Sequence, residues 1–141
     1  MKKEEILRFL PSTYCRIKES KIHGIGVHAI VDIKKGTNLF PECTCDLSKI
    51  VKIKKEEVSH LSQSVLKMMH DFFIETETHY FTNVSLNKMD ISYFLNHSDN
   101  PNCFWNESDD CFYVFKDIKV GEELTLDYSK YITSDLVKEI S

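Results

Sequence analysis

Asn96-His97-Ser98-Asp99-Asn100-Pro101-Asn102 and, further on, Gly121-Glu122-Glu123-Leu124-Thr125-Leu126-Asp127-Tyr128 are the stretches whose reading decides the fold. The first is a polar turn set between two apolar runs, where an ordinary connection would rarely need an amide beside an imidazole. The second is a glycine turn, then a short β-prone run that ends in a tyrosine. Upstream lies Lys21-Ile22-His23-Gly24-Ile25-Gly26-Val27-His28-Ala29, a glycine-punctuated turn entering an apolar stretch. Taken singly, a G-x-G more often marks a plain turn, and an Asn-His pair an Asx-type turn. Their order along one short chain is what carries information.

Around these stretches, 141 residues give room for one domain with a core. Hydrophobic residues make up 42% and charged residues 28%, ordinary values for a globular chain. The formal charge is −4, with both signs interspersed. That disfavours nucleic acid as the main partner, because phosphate binding needs a cationic face. It suits a basic peptide, which a negative field draws in. The five cysteines, Cys15, Cys43, Cys45, Cys103 and Cys111, form no C-x-x-C, and no secretory signal or membrane span is visible, so an intracellular, reducing setting is expected. Cys43-Thr44-Cys45 lacks a second ligand pair, and no metal site is expected.

Residues 2–10 read as a short amphipathic helix stopped by Pro11. Strands are expected over Thr13–Lys18, Val27–Val31, Thr37–Phe40 and His79–Asn83. Cys103–Asn106 and Cys111–Lys116 should form a hairpin about the acidic turn 107–110, and Glu122–Asp127 a further strand. Glu56–Phe73 is the one long helical pattern, with Val58, Leu61, Val65, Met68 and Phe72 on one stripe. Ser48–Lys55 reads as a basic connection into it. Met89–Leu95 suggests a single helical turn, and the residues after Ser129 a closing helix. The sum is a β-rich α+β fold of short strands and one main helix.

The three quoted motifs, in this order, resemble those of the SET domain, the fold of many protein lysine methyltransferases. The resemblance spans about residues 12–132, leaving 1–11 as an N-terminal arm and 133–141 as a C-terminal tail helix. It implies a C-terminal pseudoknot that brings distant motifs to one methyl group, and S-adenosyl-L-methionine as cofactor. It also implies that Gly24-Ile25-Gly26 binds the amino acid end of that cofactor, with Asn96 and His97 on its amino group and adenine. Both glycines allow close backbone approach and positive φ. Tyr93 stands where many relatives carry a cofactor-contacting residue. Tyr128 corresponds to the catalytic tyrosine at the methyl-transfer pore. Near a sulfonium its phenol should be more acidic than usual.

Trp105, Tyr113 and Leu126 are the expected walls of the substrate lysine channel, since an alkyl stem and an ammonium both suit aromatic faces. Neither Trp105 nor Leu126 brings a phenolic hydroxyl, which implies transfer of more than one methyl. Many relatives have a cysteine after Asn-His-Ser that joins a zinc module beyond the tyrosine. Here Asp99 stands there, and no cysteine follows Cys111. Tyr131, with Ile132, is the expected lid on adenine, and homodimerisation is an alternative way to complete the groove. The expected partner is a protein with an accessible lysine, a histone tail or another basic protein, in cytoplasm or nucleus. No membrane or direct nucleic acid partner is expected. The competing reading is a SET-like module that binds cofactor or peptide with little catalysis.

Overall fold

The computed structural model describes residues 1–42 and 49–131, the last by its backbone alone. Cys43-Thr44-Cys45, Ile132 and the expected tail helix 133–141 lie outside the described residues. The described residues cluster into two compact units, one of residues 1–42 with 90–131 and one of residues 49–89.

In the first unit, helix α1 (Lys3–Phe9) runs into a 3-10 turn over Leu10–Ser12 that contains Pro11. Strand β1 (Cys15–Glu19) pairs antiparallel with β2 (Ile25–Ala29) in a register running from Cys15 opposite Ala29 to Glu19 opposite Ile25. The four-stranded sheet has the order β1-β2-β9-β6, where β9 is Glu123–Leu126 and β6 is Asn96–His97. In it β2 and β9 are antiparallel, with Val27 opposite Leu124 and His28 opposite Glu123. β9 and β6 are parallel, with Asn96 beside Thr125 and His97 beside Leu126. So the strand leading to Tyr128 lies between the glycine motif's strand and the Asn-His motif.

Strands β7 (Cys103–Asn106) and β8 (Cys111–Val114) form the expected hairpin. Its turn is closed by the Asp110 N–H on the Asn106 carbonyl, 2.8 Å, with Asp110 at φ +57°. β8 stops two residues short of the expected Lys116, although the Phe115 N–H still donates to the Asn102 carbonyl in the register of the ladder. The expected strand Thr37–Phe40 is reduced to a single bridge between Asn38 and Tyr113. The Asn38 carboxamide accepts the Phe40 N–H at 3.1 Å, an Asx turn that bends the backbone away from a ladder. The core of this unit joins Val27, Ala29, Ile33, Leu39, Leu95, Cys103, Phe112, Val114, Ile118, Leu124 and Leu126.

The second unit is a three-stranded sheet of order β3-β5-β4 with one helix, α2. Its strands are β3 (Val51–Lys54), β4 (Ile74–Glu75) and β5 (His79–Thr82). β3 falls inside the segment expected to be a basic connection. Its alternation of lysines with Val51 and Ile53 is a period-2 pattern, and only Ile53 is partly covered. α2 spans Gln63–Phe72 and not 56–73. Lys55–Val58 forms a separate 3-10 turn, and Ser62 caps α2 by accepting the Val65 N–H at 3.3 Å. Of the expected stripe, Val58, Leu61, Val65 and Phe72 are half-buried, whereas Met68 is 40% exposed and its neighbour Met69 is the buried residue.

Asn102 joins the turn after β6 to the neighbouring strand. Its amide donates to the Glu123 carbonyl and its Oδ1 accepts the Thr125 N–H, both at 2.9 Å. Since Asn102 and Thr125 are buried, loss of the carboxamide strands two backbone groups without water. Asn102→Ala is expected to lower the unfolding free energy by about 2–3 kcal/mol in a denaturant titration. Asn102→Asp keeps the acceptor but sets a carboxylate oxygen against the Glu123 carbonyl, so it should cost at least as much at neutral pH.

Candidate active site

Asn96, at the start of β6, sends its amide nitrogen toward four acceptors. They are the Glu123 Oε2 at 2.9 Å, the Ser20 Oγ at 3.1 Å, the His23 carbonyl at 3.1 Å and the Ile25 carbonyl at 3.2 Å. Two hydrogens shared among four oxygens make bifurcated bonds, and they fix the rotamer. Asn96 therefore ties the glycine motif's backbone to β9. Ser20 completes the tie: its hydroxyl donates to Glu123 Oε1 at 2.7 Å and accepts the N–H groups of Ile22 and His23 at 2.9 and 3.2 Å. The Ser20 N–H bonds the Gly24 carbonyl at 2.8 Å, closing the loop on itself.

The two glycines have different reasons. Gly24 has φ +51°, and a Cβ there would meet nothing within 4 Å, so the loop is open on that side. Gly26 does not use the positive φ that glycine allows. Its missing Cβ gives room to Glu123, whose Oε2 would lie 2.5 Å from it, and to Asn96 Nδ2 at 3.0 Å. The sheet register explains this: Glu123 stands opposite His28, and Gly26 is two residues from His28 on the same face. His28 Nε2 lies 3.7 Å from Glu123 Oε1, while its buried Nδ1 has no hydrogen-bond partner among the described residues.

Tyr128 opens helix α3 (Tyr128–Tyr131) directly after β9. Its backbone N–H donates to His97 Nδ1 at 3.1 Å, and the two rings lie 5.3 Å apart at 57°. An N–H can only donate, so Nδ1 is the unprotonated nitrogen, and Nε2–H faces Asp99 Oδ1 at 3.0 Å. The Tyr128 hydroxyl donates to the Leu95 carbonyl, next to Asn96 in the chain. Burial pushes its pKa up from the ordinary phenol value. The residue remains 40% exposed. Asp127 holds the turn by accepting the Ser129 hydroxyl at 2.6 Å and the Ser129 N–H at 3.0 Å.

Tyr93 sits in the 3-10 turn Ile91–Phe94 that leads to Leu95 and Asn96. Leu126 is buried in the core beside His97, and Trp105 packs against the same core. Tyr113 does not join them. It pairs with Phe104 on one hairpin face, whereas Trp105 pairs with Phe112 on the other. The side chain of Tyr131, the expected lid, falls outside the described residues. Among the thiols, burial pushes Cys15 and Cys103 up to about 12, which makes them core side chains and poor nucleophiles.

Thus Gly24, Ile25, Gly26, Asn96, His97 and Tyr128 meet at one junction, and Tyr93 belongs to the segment entering it. Ser20 is a residue that sequence reasoning left out, while Asn102 and Glu123 stood within the quoted motifs without a site role. A serine three residues before His23 and a carboxylate in the strand offered only a turn signal and a strand position. The family model of the SET domain matches residues 24–129, and the chain belongs to that family. The structure is similar to that of a Plasmodium falciparum protein described as a "putative histone methyltransferase". The identity is 19% and the TM-score 0.47, over 83% of this chain and 94% of that one. No curated protein matches in sequence.

Two outcomes follow from this geometry. Gly26→Ala drives a methyl into the Glu123 carboxylate and should destabilise the protein by about 1–3 kcal/mol, read from thermal unfolding. Gly24→Ala meets open space and is strained only by its φ, so it should cost less than the Gly26 change. The Asp127 carboxyl is held below its ordinary value, chiefly by the Ser129 hydroxyl. Its contribution is therefore present above the ordinary carboxylate pKa and lost as pH falls through the lowered one. Exchange protection of the Ser129 amide should fall in that acidic window, and Asp127→Asn should remove the dependence.

Proposed function

We propose that this protein is an S-adenosylmethionine-dependent protein lysine N-methyltransferase, acting on an accessible lysine of a histone tail or another basic protein. One observation carries the reading. The Tyr128 phenol and the Asn96-His97 pair, separated in sequence, meet at the edge of an open glycine loop. Membership of the SET family supports the same assignment.

The residues fit the cofactor in two respects: the loop 21–25 is exposed with clear space at Gly24, and His97 and Tyr128 are exposed as well. Gly24, Ile25, Asn96 and His97 would hold it, with Tyr128 at the reacting end. When bound, it supplies a sulfonium-borne methyl group open to in-line attack by an amine. The chain's own residues then have to orient a neutral lysine amine and exclude water.

Tyr128 is suited to orientation. Its proton is committed to the Leu95 carbonyl, so the lone pairs of its oxygen are left to accept from the amine. That bond makes it an acceptor of fixed direction. Glu123 and Ser20 act at one remove, as positioning residues that hold Asn96. Trp105 and Leu126, on the core side of the sheet, are the proposed channel walls.

The test is transfer of tritium from labelled S-adenosylmethionine to a histone mixture or a cell lysate. Parent enzyme should label lysine, and Tyr128→Phe should lower the rate by about a hundredfold or more while still binding cofactor in a calorimetric titration. Absence of both labelling and cofactor binding in the parent would sink the assignment.

A further inference from the structure

The outer face of the β7–β8 hairpin carries three aromatic rings that the methyl-transfer reading does not use. Phe104 and Tyr113 are cross-strand partners with centroids 5.9 Å apart at 25°. Phe115 extends the row, its ring 6.2 Å from that of Phe104 at 34°. Phe104 is 41% exposed and Phe115 40%. A hairpin gains from one cross-strand aromatic pair. A third ring beyond the strand end, with its neighbours left open to water, exceeds what the hairpin needs.

The row ends at an acidic, well-held turn. The Tyr113 hydroxyl donates to the Asp109 carboxylate, whose other oxygen accepts the Cys111 N–H at 3.1 Å. Asn106 accepts the Ser108 N–H at 3.0 Å. Glu107, Asp109 and Asp110 thus cluster at one end of the rings, with Lys116 following Phe115 at the other. Ring faces attract cations, and guanidinium groups stack on them best. The acidic turn adds an attraction of the same sign and repels a phosphate backbone.

The geometry points to a docking surface for an arginine- or lysine-bearing segment of a partner protein, laid across Phe104, Tyr113 and Phe115 with one cation at the 107–110 turn. This surface shares no residue with the Asn96–Tyr128 junction and does not depend on the methyl-transfer reading. Its occupant is a basic peptide and not single-stranded nucleic acid, because base stacking on the rings would bring phosphates to three carboxylates.

The probe is a short unstructured peptide alternating arginine with serine, titrated calorimetrically and by the ring resonances of Phe104 and Phe115. A glutamate-serine peptide and oligouridylate serve as controls. The arginine peptide should bind, shift both ring signals and weaken as salt rises. The double variant Phe104→Leu with Phe115→Leu keeps apolar bulk and removes two π-faces. It should weaken binding roughly fivefold or more, with S-adenosylmethionine binding unchanged. If its melting temperature drops, Phe115→Leu alone is used, with a smaller loss in the same direction. No binding of the arginine peptide, equal binding by the variants, or preference for oligouridylate would each overturn the proposal. Loss of cofactor binding in the parent protein would count against the enzyme assignment alone.

Discussion

The Glu123 carboxylate is the point on which the junction depends. Its side chain is 12% exposed, and a carboxylate taken that far out of water must be met by donors. Ser20 donates to one oxygen and Asn96 to the other, so the group links β9 to the loop before β2 and to β6. Gly26 is required because any side chain there would occupy the carboxylate's place. The three sequence motifs are thus physically joined through a residue that none of them advertises. Removing one donor would leave one buried carboxylate oxygen unmet, which costs more than the lost bond itself.

Topology makes this linkage possible. β9 is flanked by an antiparallel neighbour that brings the glycine motif and a parallel neighbour that brings Asn-His. Parallel pairing needs a long connection, and the hairpin β7–β8 lies within it. Asn102 fixes where β6 and β9 meet by bonding the backbone on both sides of Leu124. A slip of one residue would turn Glu123 away from Gly26 and point Leu124 out of the core. Register, core packing and site geometry are therefore one constraint.

Much of this was legible in the chain. The hairpin was readable from two β-prone runs about an acidic turn, and β2, β5 and β9 from alternation and glycine punctuation. Asn96, His97 and Tyr128 could be named from their motifs. What escaped depends on partners far away in sequence. Gly26 looks like any turn glycine until Glu123 is seen beside it. Ser20 reads as a polar loop residue, although its hydroxyl organises the loop. The strand Thr37–Phe40 failed because Asn38 bonds its own backbone, a local competition that β-propensity ignores. Val51–Lys54 was passed over because its lysines mask a period-2 pattern that is mostly exposed.

The hairpin shows how one alternation divides two kinds of work. Cys103, Trp105, Phe112 and Val114 share the face turned to the core, while Phe104 and Tyr113 share the other. Grouping Trp105 with Tyr113 as channel walls followed their aromatic character and overlooked the parity of their positions. Parity decides, because a strand cannot turn two paired side chains of opposite phase to one surface. Trp105 consequently packs against the core, and Tyr113 is held outside by Asp109. A residue's chemistry says what it can bind, but its place in the pleat says which face does the binding.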